Sequence, residues 1–143
     1  MKIAYTFVAD AATTDASGKL NTLGIFDSVF SQEWPLVIPR MCLVVVVRAV
    51  AGEFNTEKTI GVEIFNPDKV VIGKMALPIK IPPPVNGVVS AVFNALFNLE
   101  GVGFEKPGQY MFGISINDVP QASVILNAIQ VSKSMLRGPN LLA

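Results

Sequence analysis

Four consecutive valines, residues 44–47, lie inside the most apolar segment of the chain, residues 41–50. β-Branched side chains lose rotamer freedom in a helix, so this segment predicts a β-strand. Arg48 marks one of the two alternating phases of that strand as the outer one. The other phase is expected to lie in the core and consists of Met41, Leu43, Val45 and Val47.

Apolar residues recur at every second position in further segments, which is the period of a half-buried strand. The strands predicted on this basis lie at residues 3–8, 20–30, 60–64, 70–77, 110–116 and 124–131. We expect an interruption at Gly24, a hairpin turn at residues 66–69, and a type II turn with a positive φ at Gly108. Residues 88–99 fit either a strand or a helical face, and the neighbouring strands favour the strand. Strand phase alone predicts five buried side chains, those of Phe7, Val45, Ile64, Phe112 and Ile114.

The length of 143 residues fits one domain. About eight strands separated by short turns predict an all-β fold, namely an antiparallel β-sandwich. We expect this single domain to span residues 1–133, with residues 134–143 forming a flexible or docking C-terminal tail. The triple proline at residues 82–84 is interpreted as a crossover between the two sheets.

Several segments in a fixed order carry a family resemblance: the opening strand that ends in Ala9-Asp10, the run Gly18–Asp27, the pair Trp34-Pro35 with Pro39-Arg40, the turn Asn66-Pro67-Asp68 and the run Phe104–Phe112. With these segments, most of residues 1–132 resembles an uncharacterised bacterial family of small single-domain proteins, a domain of unknown function. The resemblance implies an immunoglobulin-like or C2-like sandwich and implies no activity. The chain departs from the family pattern in its last hairpin, which carries no charge between Asp118 and Lys133.

Residue counts exclude several classes of site. The chain has no histidine and a single cysteine, Cys42, which excludes histidine-based triads, histidine metal sites, intrachain disulfides and CxxC motifs. Because 11 basic residues balance 11 acidic residues, we expect no nucleic-acid partner. No segment has the length and apolarity of a membrane helix, and residues 1–10 lack the pattern of a signal peptide. We therefore expect a cytoplasmic protein without a membrane span.

No catalytic, cofactor or metal site is predicted. Cys42 is interpreted as structural because it has no histidine partner. Trp34 is expected to plug one end of the sandwich, with a ligand or partner contact as the alternative. Aspartates at strand ends could gather around Ca²⁺ through their oxygen atoms, although aspartate also favours turns and no DxDxD spacing occurs. These aspartates are Asp10, Asp15, Asp27, Asp68 and Asp118.

The composition is unusually apolar for a small domain. Charged residues make up 15% of the chain, against about 25% in soluble domains, and the mean hydropathy is +0.51. We therefore expect another subunit to cover some apolar surface. The predicted interface positions are Cys42, Val44, Val46, Val124, Leu126, Ala128, Leu136 and Leu141. The alternative is that the tail or residues 82–99 fold back and cover these faces within one chain.

These observations favour a non-catalytic protein-interaction or structural module that forms a homo-oligomer or docks into a larger assembly. The alternative is a sandwich that binds a small ligand or carbohydrate, with Trp34, Tyr5 or Tyr110 as the stacking surface. A hydrolase ranks third, because histidine and the known nucleophile motifs are absent.

Overall fold

The computed structural model describes residues 1–81, 87 and 89–134, which contain nine β-strands and one turn of 3₁₀ helix at Ala51–Glu53. The strands are β1 (Lys2–Thr14), β2 (Leu20–Phe26), β3 (Ser28–Ser31), β4 (Leu36–Val50), β5 (Glu57–Phe65), β6 (Val71–Lys80), β7 (Ser90–Phe104), β8 (Gly108–Ile116) and β9 (Val119–Gln130). The triple proline and tail residues 135–143 lie outside the described residues. No helix in this described part is long and apolar enough to cross a membrane.

The strands form two sheets with the orders β2-β1-β4-β7 and β3-β9-β8-β5-β6. This confirms the all-β class. The expected antiparallel pairing holds except between β3 and β9, which are parallel. The immunoglobulin-like or C2-like topology implied by the resemblance is not confirmed, since the five-stranded sheet is strongly curled.

The strand boundaries answer two questions: whether the segment predicted at 88–99 is a strand or a helix, and where the second predicted strand is interrupted. Residues 90–104 form one long strand, β7, so the helical alternative for this part of the chain is wrong. The second predicted strand divides at Asp27, between β2 and β3, and its regular pairing with β1 is also interrupted at Gly24, which has no partner in the register. Gly24 lies inside β2 with a φ of +68°.

One apolar core lies between the two sheets. The predicted core phase of β4 is confirmed, and so is the burial of Ile64, Phe112 and Ile114. The buried residues of this core are Val8, Val29, Met41, Leu43, Val45, Val47, Ile60, Val62, Ile64, Ala95, Phe97, Leu99, Phe104, Tyr110, Phe112, Ile114, Leu126 and Ala128.

The predicted burial of Phe7 in this core is wrong, because β1 contains an irregularity. Its register with β4 shifts between Ile3 and Tyr5, so one residue is inserted into the alternation. Phe7 consequently pairs with Val44 in the outer phase and is only half-buried, whereas Val8 takes the core position.

The turn before β8 is fixed by a buried tyrosine. The hydroxyl of Tyr110 donates a hydrogen bond to the carbonyl of Lys106 at 2.8 Å, and the Tyr110 ring packs edge-on against Phe104 at 4.8 Å. Gly108, which lies between Lys106 and Tyr110 in the chain, has a φ of +146°, so the positive φ expected there is confirmed. The angle differs from the value of about +80° in a type II turn.

We expect Phe112→Ala to lower the free energy of unfolding by about 3 to 5 kcal/mol, because the ring is fully buried and its removal leaves a cavity. Denaturant titration measures the loss. Phe7→Ala is the matched control and should cost less than half as much. Equal losses in the two variants would contradict this assignment of the β1 phase.

We expect Gly108→Ala to destabilise the fold by about 1 to 3 kcal/mol. The new Cβ would lie 2.6 Å from Cγ of Pro67, at a backbone angle that L side chains rarely adopt. Gly103→Ala is the control, since nothing lies within 4 Å of its Cβ position, and its thermal midpoint should stay unchanged or rise. A Gly108→Ala variant as stable as Gly103→Ala would show that the close approach to Pro67 is wrong.

Candidate functional site

Three of the predicted interface residues, Cys42, Val44 and Val46, are buried within the chain itself. They lie on the outer side of β4, as their phase predicted, but that side does not meet water. Side chains from β1, β2 and β7 cover them, namely Phe7, Ala12, Leu20 and Leu96. The prediction that this face is free to meet a second subunit is therefore wrong.

Apart from Leu96 of β7, the cover comes from the first hairpin, which consists of β1 and β2 and whose far part bends back across the outer side of β4. The bend lies where Asp10 meets Gly24, and a Cβ on that glycine would come within 2.3 Å of the Asp10 carboxylate. At the tip, Nδ2 of Asn94 on β7 donates to the carbonyl of Gly18 at 3.3 Å and to Oγ1 of Thr14 at 3.5 Å. The hairpin thus reaches across β4 to the edge of the sheet.

The predicted interface residues of β9 also point inward. Leu126 and Ala128 are buried in the core between the sheets, and Val124 packs against it. The opposite phase still carries an apolar residue, because Ile125 is exposed. The remaining two predicted positions, Leu136 and Leu141, lie outside the described residues.

The exposed apolar residues on the first hairpin form what we call the hairpin patch: Tyr5, Leu23 and Ile25. These side chains are 53%, 71% and 61% exposed, respectively. The ring of Tyr5 is stacked on that of Phe7, with 6.3 Å between the centroids. β2 is also the edge strand of its sheet, so among the described residues no strand lies beside one side of its backbone. Sequence reasoning missed this patch, although the absence of charge from residue 20 to residue 26 was visible.

A second surface feature is a groove of about 590 Å³ on the outer face of β5, β8 and β9. Gly113 forms part of its floor, and the ring of Phe65 lies 3.2 Å from the position of a Cβ on that glycine. Glu63 and Asp118 add two carboxylates to the lining. Lys74, at 3.8 Å from Glu63, partly balances the first of them.

The aromatic residues expected to stack on a ligand are mostly turned inward. Tyr110 is buried and held by Lys106, and Trp34 is half-buried against the main core. Nε1 of Trp34 is buried and has no hydrogen-bond acceptor among the described residues. Of the three candidates, Tyr5 alone is well exposed, and it belongs to the hairpin patch.

The aspartates serve local structure where their contacts are defined. Oδ1 of Asp15 accepts hydrogen bonds from the backbone N–H groups of Ser17 and Lys19, each at 2.9 Å. The Ser17 hydroxyl and these N–H groups lower the pKa of the Asp15 carboxyl. Asp68 forms an exposed ion pair with Lys106 at 2.5 Å. Within residues 1–81, 87 and 89–134, no group of three acidic, cysteine or histidine side chains is placed to hold a metal ion.

Comparison with known protein families identifies the family to which the chain is similar. A family model described as "Family of unknown function (DUF6941)" matches residues 4–129, which confirms the resemblance to a domain of unknown function. No curated protein and no solved structure matches the chain.

We expect Val44→Lys to lower the free energy of unfolding by about 3 to 5 kcal/mol, because the ammonium group would be buried without a partner. Leu23→Lys is the matched control and should change it by less than about 0.5 kcal/mol, since position 23 is exposed. Denaturant titration of dilute protein measures both values. A stable Val44→Lys variant with a smaller assembly state would show instead that this face is intermolecular.

Proposed function

The chain belongs to this family of unknown function, and from that premise we propose that it is a non-catalytic protein-interaction module. It binds a protein partner through the hairpin patch and the open edge of β2. The observation that carries the proposal is the combination of an uncharged edge strand with the exposed side chains of Leu23 and Ile25.

Edge strands offer unpaired N–H and C=O groups to other chains, and monomeric proteins commonly protect them with charge, proline, bulges or short length. In the part of the chain that the structure describes, the other three edge strands have such protection. β3 is only 4 residues long. β6 carries Lys74, Pro78 and Lys80, and β7 carries Glu100.

β2 lacks both charge and proline over its 7 residues. Its protection is limited to the bend at Gly24, which leaves the apolar side chains on either side of the bend exposed. An exposed apolar edge of this kind is suited to β-strand addition, in which backbone hydrogen bonds give affinity and side chains give specificity.

The state of the single cysteine favours a binding function over a catalytic one. The one thiol, Cys42, is buried, and burial raises the pKa of that thiol, so it is a poor nucleophile at neutral pH. Its unpaired state also fits the reducing environment of the cytoplasm, where we propose that the protein acts.

We further propose that the two sheets are a distorted relative of the immunoglobulin-like sandwich. The support is the bond from the Tyr110 hydroxyl to the backbone four residues upstream, which is a tyrosine corner of the kind found in that fold.

The groove favours a second candidate function, the binding of a small ligand. Its volume of about 590 Å³ falls in the range of ligand sites, and it combines an apolar wall at Phe65 with carboxylates at Glu63 and Asp118. A ligand with a flat apolar part and a positive charge fits this lining best.

The test of the first function is site-specific photo-crosslinking in the cells that produce the protein. A benzoylphenylalanine in place of Leu23 should give adducts with a protein partner on irradiation, because this position is exposed and lies on the edge strand. The same group in place of Glu57, an exposed residue at the start of β5, is the control and should give none. Adducts at both positions, or at neither, would contradict the proposal.

A further inference from the structure

We propose that the partner of β2 is β2 of a second copy of this chain, paired antiparallel with the two-fold axis at Leu23. This inference rests on the proposed function and names its partner. A two-fold contact brings the same surface from both subunits together, so the strand must be complementary to its own reverse. The sequence of β2 and its flanking residues meets that requirement.

The complementarity lies in two charges at equal distance from Leu23. Lys19 precedes the strand by one residue and Asp27 follows it by one residue. When β2 is reversed about Leu23, Lys19 lies directly opposite Asp27 of the partner subunit, and the two-fold axis repeats this pair. Both residues are exposed, and neither forms an ion pair within the part of the chain that the structure describes.

Other antiparallel registers lose this match. An axis at Lys19 places two ammonium groups opposite each other, and an axis at Asp27 does the same with two carboxylates. Like charges directly opposite are destabilising in an antiparallel pair, whereas opposite charges stabilise it. Exposed ion pairs contribute little affinity, so the charges select the register while the ladder and the apolar side chains hold the subunits together.

Two residues of the hairpin patch, Leu23 and Ile25, lie close to the proposed axis. Leu23 meets its own copy there, and Ile25 lies opposite Asn21 of the partner subunit. No charged residue of β2 is brought into the contact, because residues 20–26 are uncharged. The four-stranded sheets of the two copies would then join into one sheet of eight strands.

The bend at Gly24 limits how tight this contact is. In the proposed register, Gly24 lies opposite Thr22 of the partner subunit, one residue from the axis on each side. A φ of +68° interrupts a regular ladder at that point. We therefore expect a weak, concentration-dependent dimer and not an obligate one.

The test is charge reversal, with the dimer dissociation constant measured by sedimentation velocity at low salt. Lys19→Glu and Asp27→Lys each place like charges opposite each other twice, and each should raise the dissociation constant by about tenfold. The double variant restores opposite charges and should return to within about threefold of the unaltered chain. Lys80→Glu changes the net charge as Lys19→Glu does, on the exposed end of β6, and should leave the dissociation constant unchanged.

The outcomes separate this inference from the proposed function. A chain that stays monomeric at the highest attainable concentration overturns the second copy, and a Leu23 crosslink to a different protein would then leave the interaction module standing. A dimer lost in Leu23→Lys but insensitive to both charge reversals overturns the register centred on Leu23. A double variant as weak as the single variants overturns it as well.

Discussion

The burial of β4 on both of its faces is the constraint on which the rest of this structure depends. Seven consecutive residues, Met41 to Val47, are almost completely shielded from water. Each buried valine or leucine side chain contributes about 1.5 to 3 kcal/mol relative to an exposed one, so both faces need a cover. The five-stranded sheet covers the inner face, and the bent first hairpin covers the outer face.

This arrangement explains a composition that otherwise suggested an oligomer. An antiparallel sheet commonly has one face in the core and one in water. Here the four-stranded sheet has apolar residues on both faces of β4, because its own first hairpin forms a partial third layer. Part of the high apolar content therefore serves burial within one chain. The exposed side chains of the hairpin patch are among the apolar residues that burial within one chain does not explain.

Strand phase could be predicted from the sequence wherever alternation was unbroken. Arg48 was enough to orient residues 41–47 of β4, and the β5–β6 hairpin and the burial of Phe112 followed from the same rule. The rule failed at Phe7, because an irregularity near Ala4 leaves no mark in the pattern of apolar residues. The alternation of apolar residues also could not predict that the first hairpin folds over Val44. That bend depends on the backbone of a single glycine, Gly24. The surface proposed for binding was missed for a related reason. The alternation of residues in β2 predicts that it is a strand. Its position at the edge of the sheet depends on which strands pair, and alternation does not reveal that.

The first hairpin both shields Cys42 and presents the open edge of β2, so a change at one of these places affects the other. One side of β2 shields Cys42 through Leu20, and the other side is the open edge. Local opening of the hairpin would expose the thiol, and proteins open in such units at a lower free-energy cost than global unfolding. The alkylation rate of Cys42 consequently reports how often the hairpin lifts from β4. A molecule that binds the edge of β2 in the closed state slows this rate without touching the cysteine. The alkylation rate of Cys42 therefore also reports whether the edge of β2 is bound.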